Sequence, residues 1–327
     1  MFTAVSKYSR ETDFGCGHMV EKNNLVPKIS GVVSDRVFGM INALLLTFCL
    51  IVVLYPLYFV LIASLSDPYA VGIGKVIILP HRVTLEGYQN ILKKAEIWTG
   101  YRNTIFYTSV GTLFNLFLTI PAGYSLSKKH MPFRTTINIF LLITMFFGGG
   151  LIPFYLLVRD IGLYNKPYTL IFLGGVSVFY IIVTRTYFQS SIPEELYEAA
   201  FIDGASEMRV FFSVAVPLAK PIVAVMALYY AVGHWNDYFS ALIFVSQKEL
   251  QPLQLILRSI ILQAQVPISD LIDITNVEML EDKARLIYMA QTMKYAMIFI
   301  ASAPMLIMYP FVQKYFVKGV MLGSLKG

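Results

Sequence analysis

Six stretches of the chain carry no Asp, Glu, Lys or Arg: 37–66, 103–127, 135–158, 167–184, 221–236 and 295–313. A bilayer core about 30 Å thick takes about 20 apolar residues in a helix, because backbone groups in hydrocarbon must bond within their own segment. The pattern therefore predicts six transmembrane helices. The fifth is short and extends back to Phe212 with only Lys220 interrupting; Pro217 and Pro221 mark its start. The run 259–269 is apolar but too short to span, and reads as a partly buried or re-entrant segment. The first apolar run follows a polar tail of 36 residues and is too long for a signal-peptide core, so it is expected to stay as a helix. No internal repeat interrupts this plan. The expected fold is an all-α membrane protein, with an N-terminal tail over 1–34 and one transmembrane domain over 35–327.

Composition sharpens the exclusions. The chain is 57% hydrophobic and 14% charged, with mean hydropathy +0.64, where a soluble domain carries about 25% charged residues. An ordinary soluble enzyme is ruled out. Disorder is ruled out by 24 Phe and 21 Tyr. Two cysteines, Cys16 in the tail and Cys49 in the first apolar run, make no disulfide framework. The net charge of +6 lies in the loops rather than in a basic stripe, which points to a membrane and away from nucleic acid. Lys22, Lys28 and Arg36, then Lys128, Lys129 and Arg134, then Lys314, Lys318 and Lys326 all fall on one side of a six-span chain. Positive residues in short loops mark the cytoplasm, so both termini are expected there. Lys93, Lys94 and Arg102 weaken the contrast, and Asp270, Asp273, Glu278, Glu281 and Asp282 make the connection before the last span acidic.

Catalytic chemistry is hard to find. His18, His81, His130 and His234 are scattered, read here as tail and loop positions, with no metal-binding spacing. No nucleophile elbow or phosphate-cradling glycine loop is present. Gly148, Gly149 and Gly150 fall inside the third predicted span and read as a kink or a close helix contact.

The informative segment runs from Ser190 to Pro217, between spans four and five. Ser191 to Glu194 reads as a capping box with Pro193 in the first turn. A short helix follows, stopped at Asp203-Gly204 by a glycine cap, and Ser206 can cap a second helix bearing Met208, Phe211 and Phe212. The first helix is expected to show Leu196, Ala199 and Ala200 on one face, a small-residue surface suited to a groove on another protein. An interfacial helix lying on lipid is the alternative. Glu194, Glu195 and Glu198 speak against it, since they suit an anionic membrane surface poorly.

Glu198-Ala199-Ala200, then Gly204, then Val214-Ala-Val216-Pro217 resembles the EAA loop of ABC importer permeases, with valines where the family pattern has isoleucine and leucine. Trp235-Asn236-Asp237-Tyr238 and the Gln313–Gly327 tail resemble the carbohydrate-uptake branch. Residues 146–153 and 159–164 resemble its subgroup for complex oligosaccharides and polysaccharide fragments. The resemblance covers about residues 35–327.

That resemblance implies a permease subunit, itself no enzyme, that pairs with a second homologous permease, two ABC ATPase subunits and an extracytoplasmic sugar-binding protein. ATP and magnesium would be bound by the ATPase subunits; no cofactor is expected in this chain. Localisation would be the bacterial cytoplasmic membrane. The short helix would seat in a cleft of an ATPase, with Leu196, Glu198, Ala199, Ala200, Asp203 and Gly204 shaping the contact. Small side chains at 199 and 200 fit that role, and Gly204 tolerates a left-handed turn. For the sugar path the candidates are Tyr229, Tyr230, Trp235, Asn236 and Asp237, since sugars are held by hydrogen bonds and by stacking on rings. An interfacial aromatic belt accounts for the same tyrosines and tryptophan. Residues 251–258 are expected, by analogy, to reach an external binding protein. A secondary transporter would need intramembrane charges and paired broken helices; an ABC permease for a non-sugar solute remains the nearer alternative.

Overall fold

The computed structural model describes residues 30–263, 288, 289, 292–310 and 313, and every regular element among them is helical. Met1–Tyr55 and Pro56–Gly327 form two compact units. The first contributes most of α1 (Ser30–Ser64), whose side chains from Arg36 to Tyr55 are all exposed. An apolar helix exposed all round is built for lipid or for a neighbouring subunit.

In the second unit, α2 (Pro68–Gly72) and α3 (Glu86–Leu92) are short connectors, and α4 (Ala95–Ser127) is the hub. α4 packs against α8 (Val178–Ser191), α12 (Lys220–Asn236) and α14 (Leu253–Gln263). Its buried face is small and polar: Asn103, Thr104, Thr108, Asn115 and Thr119 are all 8% exposed or less. Small residues let helices approach closely where no hydrophobic effect drives them together. A Cβ on Gly111 would lie 2.5 Å from the His234 ring, and one on Gly123 would lie 2.6 Å from Thr184.

The third expected span is broken. α5 (Arg134–Phe146) and α6 (Leu151–Asp160) meet at 112° across the glycine triplet. Gly148 and Gly149 have no neighbour within 4 Å of a built Cβ, so the triplet acts as a kink and not as a close helix contact. The fourth expected span is also divided, into α7 (Thr169–Leu173) and α8, at Gly174-Gly175. After α9 (Glu194–Ile202), α10 (Glu207–Val210) passes through a π-helical turn at Phe211–Ala215 into α11 (Val216–Leu218). That rod meets α12 at 79°, where Pro221 opens the new helix. α13 (Phe239–Phe244) and α14 follow, and the last described helix, α15, is Thr292–Pro310.

Three described helices are long and apolar enough to cross a membrane, or five if each bent pair is one span. The expected tail, the acidic connection and the basic C-terminal residues lie outside the described residues, apart from the start of α1 and residue 313. The segment 251–258 is not a free loop: Leu253, Leu255, Ile256 and Leu257 are buried, and of its residues only Arg258 is exposed. Its backbone is sewn to α4 by Asn103 Nδ2, which donates to the Glu249 and Gln251 carbonyls, and by Thr104 Oγ1, which accepts from Leu253 N–H.

Candidate functional site

Two constructions stand out, one against the C-terminal end of α4 and one at the C-terminal end of α12. The first is α9. It starts at Pro193 without any side-chain cap, because α8 runs on to Ser191 and leaves only two residues between the helices. The capping box is therefore not formed. Glu194 turns instead to Lys129, whose Nζ donates to its Oε2 at 2.5 Å. This partner holds the Glu194 carboxyl below its usual pKa and lifts that of Lys129. The C-terminal end follows the sequence: Gly204 has φ 76°, its N–H donates to the Phe201 carbonyl, and Ala205 N–H donates to the Ala200 carbonyl. Those two bonds are a complete Schellman motif. Ser206 occupies the next N-cap, again without a side-chain bond.

The helix is held from behind by Tyr197, which sequence reasoning passed over. Its ring is buried, edge-on to Tyr124 at 6.0 Å, with Lys128 Nζ 3.2 Å above its centroid. Tyr124 in turn donates its hydroxyl to Glu207 Oε2 at 3.3 Å, tying α4, α9 and α10 together. Burial pushes Tyr197 up to about 12 and Lys128 down, with Glu207 and Glu194 opposing the latter. No local pattern flags this cluster, since its partners lie about seventy positions apart in the chain. The Lys128-Lys129 pair just past the end of α4 was its one visible sign.

Of the residues expected at an ATPase contact, Glu198, Ala199, Asp203 and Gly204 are exposed on α9, and Leu196 is 44% exposed. Ala200 is only half-exposed and packs inward with Ala205 against the core around Tyr124 and Phe211. The expected face of Leu196, Ala199 and Ala200 is thus open at two positions and turned inward at the third.

The second construction is a cavity of about 310 Å³ between α7, α8, α12 and the start of α13. Tyr229, Tyr230, Asn236 and Asp237 line it, together with Tyr180 and His234. The Tyr180 and Tyr229 rings lie stacked, 5.7 Å apart and 12° from parallel. Tyr230 is buried, its hydroxyl paired with Thr119 Oγ1 at 2.7 Å and accepting from Ser177 N–H. Trp235 is not on the cavity wall. It is 5% exposed and points the other way, where its Nε1–H donates to the Ala301 carbonyl at 2.8 Å and holds α15. Asp237 accepts from Ser240 N–H, and Asn236 donates to the Val232 carbonyl.

His234 belongs to α12, not to a loop, and Asn115 behind it was not foreseen; a lone Asn inside an apolar run was the available signal. Asn115 Nδ2 donates to the carbonyls of Gly174 and Gly175 at 2.5 and 2.8 Å, at the break between α7 and α8. Its Oδ1 then faces His234 Nε2 at 2.7 Å. Nothing among the described residues gathers three His, Cys, Asp or Glu side chains into a metal-binding group.

Helices long and apolar enough to cross a membrane, packed around the polar buried face of α4, define a helical membrane domain. Residues 97–322 match the family described as binding-protein-dependent transport system inner membrane component, and the chain belongs to that family. The chain is 36% identical to Protein LplC of Bacillus subtilis over 90% of its length and 96% of that protein's. It is 34% identical to the polygalacturonan/rhamnogalacturonan transport system permease protein YtcP of the same organism, over 90% and 99%. Among solved structures, a chain from a bacterial ABC transporter involved in the import of the acidic polysaccharide alginate superposes with a TM-score of 0.77. That match has 36% identity and covers 86% of this chain and 98% of the other. The protein is thus a non-catalytic, inner-membrane permease subunit of an ABC importer, and family membership implies a complex with an ATPase and a substrate-binding protein.

Proposed function

We propose that this chain forms half of the translocation path of an importer for oligosaccharides or polysaccharide fragments, and that α9 is its contact with the ATPase. Six spans, cytoplasmic termini and a second homologous permease complete the proposal, with two ATPases and an extracytoplasmic sugar-binding protein. The relatives named for polygalacturonan, rhamnogalacturonan and alginate support a glycan cargo. The observation that carries the coupling reading is the geometry of α9: Glu198, Ala199, Asp203 and Gly204 face outward on a helix whose back is clamped through Tyr197 to the end of α4. A push on such a helix moves the spans behind it instead of being absorbed by a loose loop.

Gly204→Asp tests this. Its φ of 76° is one that Asp tolerates better than most residues, and nothing lies within 4 Å of a built Cβ. The variant is therefore expected to fold and insert. Glycan uptake is expected to be lost, and the ATPase is expected to be missing from material purified through a tag on this chain. Normal uptake by that variant sinks the coupling role.

A further inference from the structure

We infer that the cavity beside α12 receives an uncharged pyranose unit and disfavours a uronate, with Asp237 setting the charge preference and His234 orienting the ring. The inference rests on the glycan reading above and narrows it. The wall offers the two groups that a sugar ring uses: a stacked aromatic pair, Tyr180 and Tyr229, and a carboxylate, Asp237, that accepts one backbone bond, from Ser240 N–H, and so keeps lone pairs for hydroxyls. His234 is the one basic side chain on the lining. Arg258 stands over the Tyr238 ring at 5.3 Å and is not part of the wall.

The His234 ring is held by a network whose polarity is fixed. Both partners of Asn115 Nδ2 are carbonyl oxygens, so the amide nitrogen must face them and Oδ1 must face His234. Nε2 therefore carries the proton and donates. In the uncharged ring Nδ1 is left as an acceptor, so histidine and aspartate both offer acceptors to hydroxyl donors. Neither offers a fixed cation to offset a sugar carboxylate's charge. A uronate here would stand beside Asp237 in a partly buried site, where like charges several ångströms apart are screened far less than in water. Relatives named for acidic polysaccharides thus give no warrant for a carboxylate in this cavity.

The test uses the purified importer complex in detergent without its binding protein, so that the permease's own preference is read. Equilibrium dialysis compares a radiolabelled neutral oligosaccharide with an oligouronate of equal length. Wild type is expected to bind the neutral glycan more tightly by about one to three orders of magnitude, the range for like charges about 12 Å down to about 4 Å apart at an effective dielectric of about 20. Asp237→Asn is expected to bring the ratio towards one, and Asp237→Lys to reverse it. A ratio that neither substitution moves, a wild-type preference for the oligouronate, or no binding of either glycan overturns the inference. The broader reading is judged separately, by uptake into proteoliposomes with the binding protein present. Uptake of any oligosaccharide keeps the glycan importer standing when the cavity assignment falls, and failure of every glycan to be taken up or to stimulate ATP hydrolysis removes both.

Discussion

Truncating Tyr197 to alanine separates the docking of α9 from the folding of the protein. The ring is 6% exposed, packs edge-on to Tyr124 and lies 3.2 Å beneath Lys128 Nζ. Removing a buried aromatic side chain costs about 3–5 kcal/mol, within which the ring pair accounts for about 0.5–1.5 kcal/mol and the cation for about 0.5–2 kcal/mol. α9 has nine residues, too few to hold a helix in water without tertiary support. A loss of about 3 kcal/mol would lower the docked-to-undocked ratio by about two orders of magnitude. Tyr197→Phe should behave differently. The hydroxyl is buried with no hydrogen-bond partner among the described residues, so deleting it removes an unpaired polar group and leaves stability unchanged or slightly raised. Hydrogen exchange over residues 194–205 in the assembled importer reads the docking, and the ratio of glycan uptake to ATP hydrolysis reads the coupling. Wild-type protection in Tyr197→Ala, or equal damage from both variants, refutes the reasoning. Alkali gives a second handle. The pKa of Tyr197 is raised from 10.0 to about 12 by burial, so its contribution is complete below pH 10 and is lost as pH rises through about 12.

Trp235→Phe gives up the bond to the Ala301 carbonyl and should cost about 1 kcal/mol or somewhat more, seen as faster proteolysis around α15 with glycan binding kept. The Lys129–Glu194 pair should contribute at neutral pH and fade as pH falls below 4.5 through the depressed pKa of Glu194. The pair is exposed, so the change should show in the local exchange of α9 and not in global melting. Gly123→Ala places a methyl 2.6 Å from Thr184 and 3.1 Å from the Arg185 backbone nitrogen and should destabilise by about 1–3 kcal/mol. Gly148→Ala, with open space around it, should melt within about 0.5 kcal/mol of wild type.

The sequence revealed whatever depends on near neighbours and concealed what depends on distant ones. Asp203-Gly204 announced a helix stop because a left-handed residue after a helix favours glycine, and the φ of 76° agrees. Charge-free runs announced apolar helices and the glycine triplet at 148–150 announced a kink, though not one of 112°, and nothing announced the break at Gly174-Gly175. A hydropathy window averages over a glycine pair, whereas the backbone does not. Ser191 looked like a cap because spacing alone was visible; the extension of α8 to that residue removes it from the position. In the cavity, Tyr229, Tyr230, Asn236 and Asp237 were legible as ring and polar groups near a membrane end. Trp235 was legible only as one of that run, because the 100° step between helical neighbours swings it to the opposite side. Asn115, at 119 positions from His234, has no sequence neighbour that explains it.

The polar spine of α4 also constrains how the protein is made. Its best window has a mean hydropathy of 1.4 against 2.7 for the first helix, since Asn103, Thr104, Thr108, Asn115 and Thr119 occupy one side. A ribosome that has delivered α4 but not α12 leaves the Asn115 carbonyl and the Thr119 hydroxyl without His234 and Tyr230, their partners in the finished protein. Hydrocarbon offers no substitute for those partners. The nascent chain must therefore keep α4 beside the insertion machinery, or beside water, until more than a hundred further residues have emerged. Interrupted translation in that interval yields a membrane fragment with an unsatisfied interior, a natural substrate for membrane proteases.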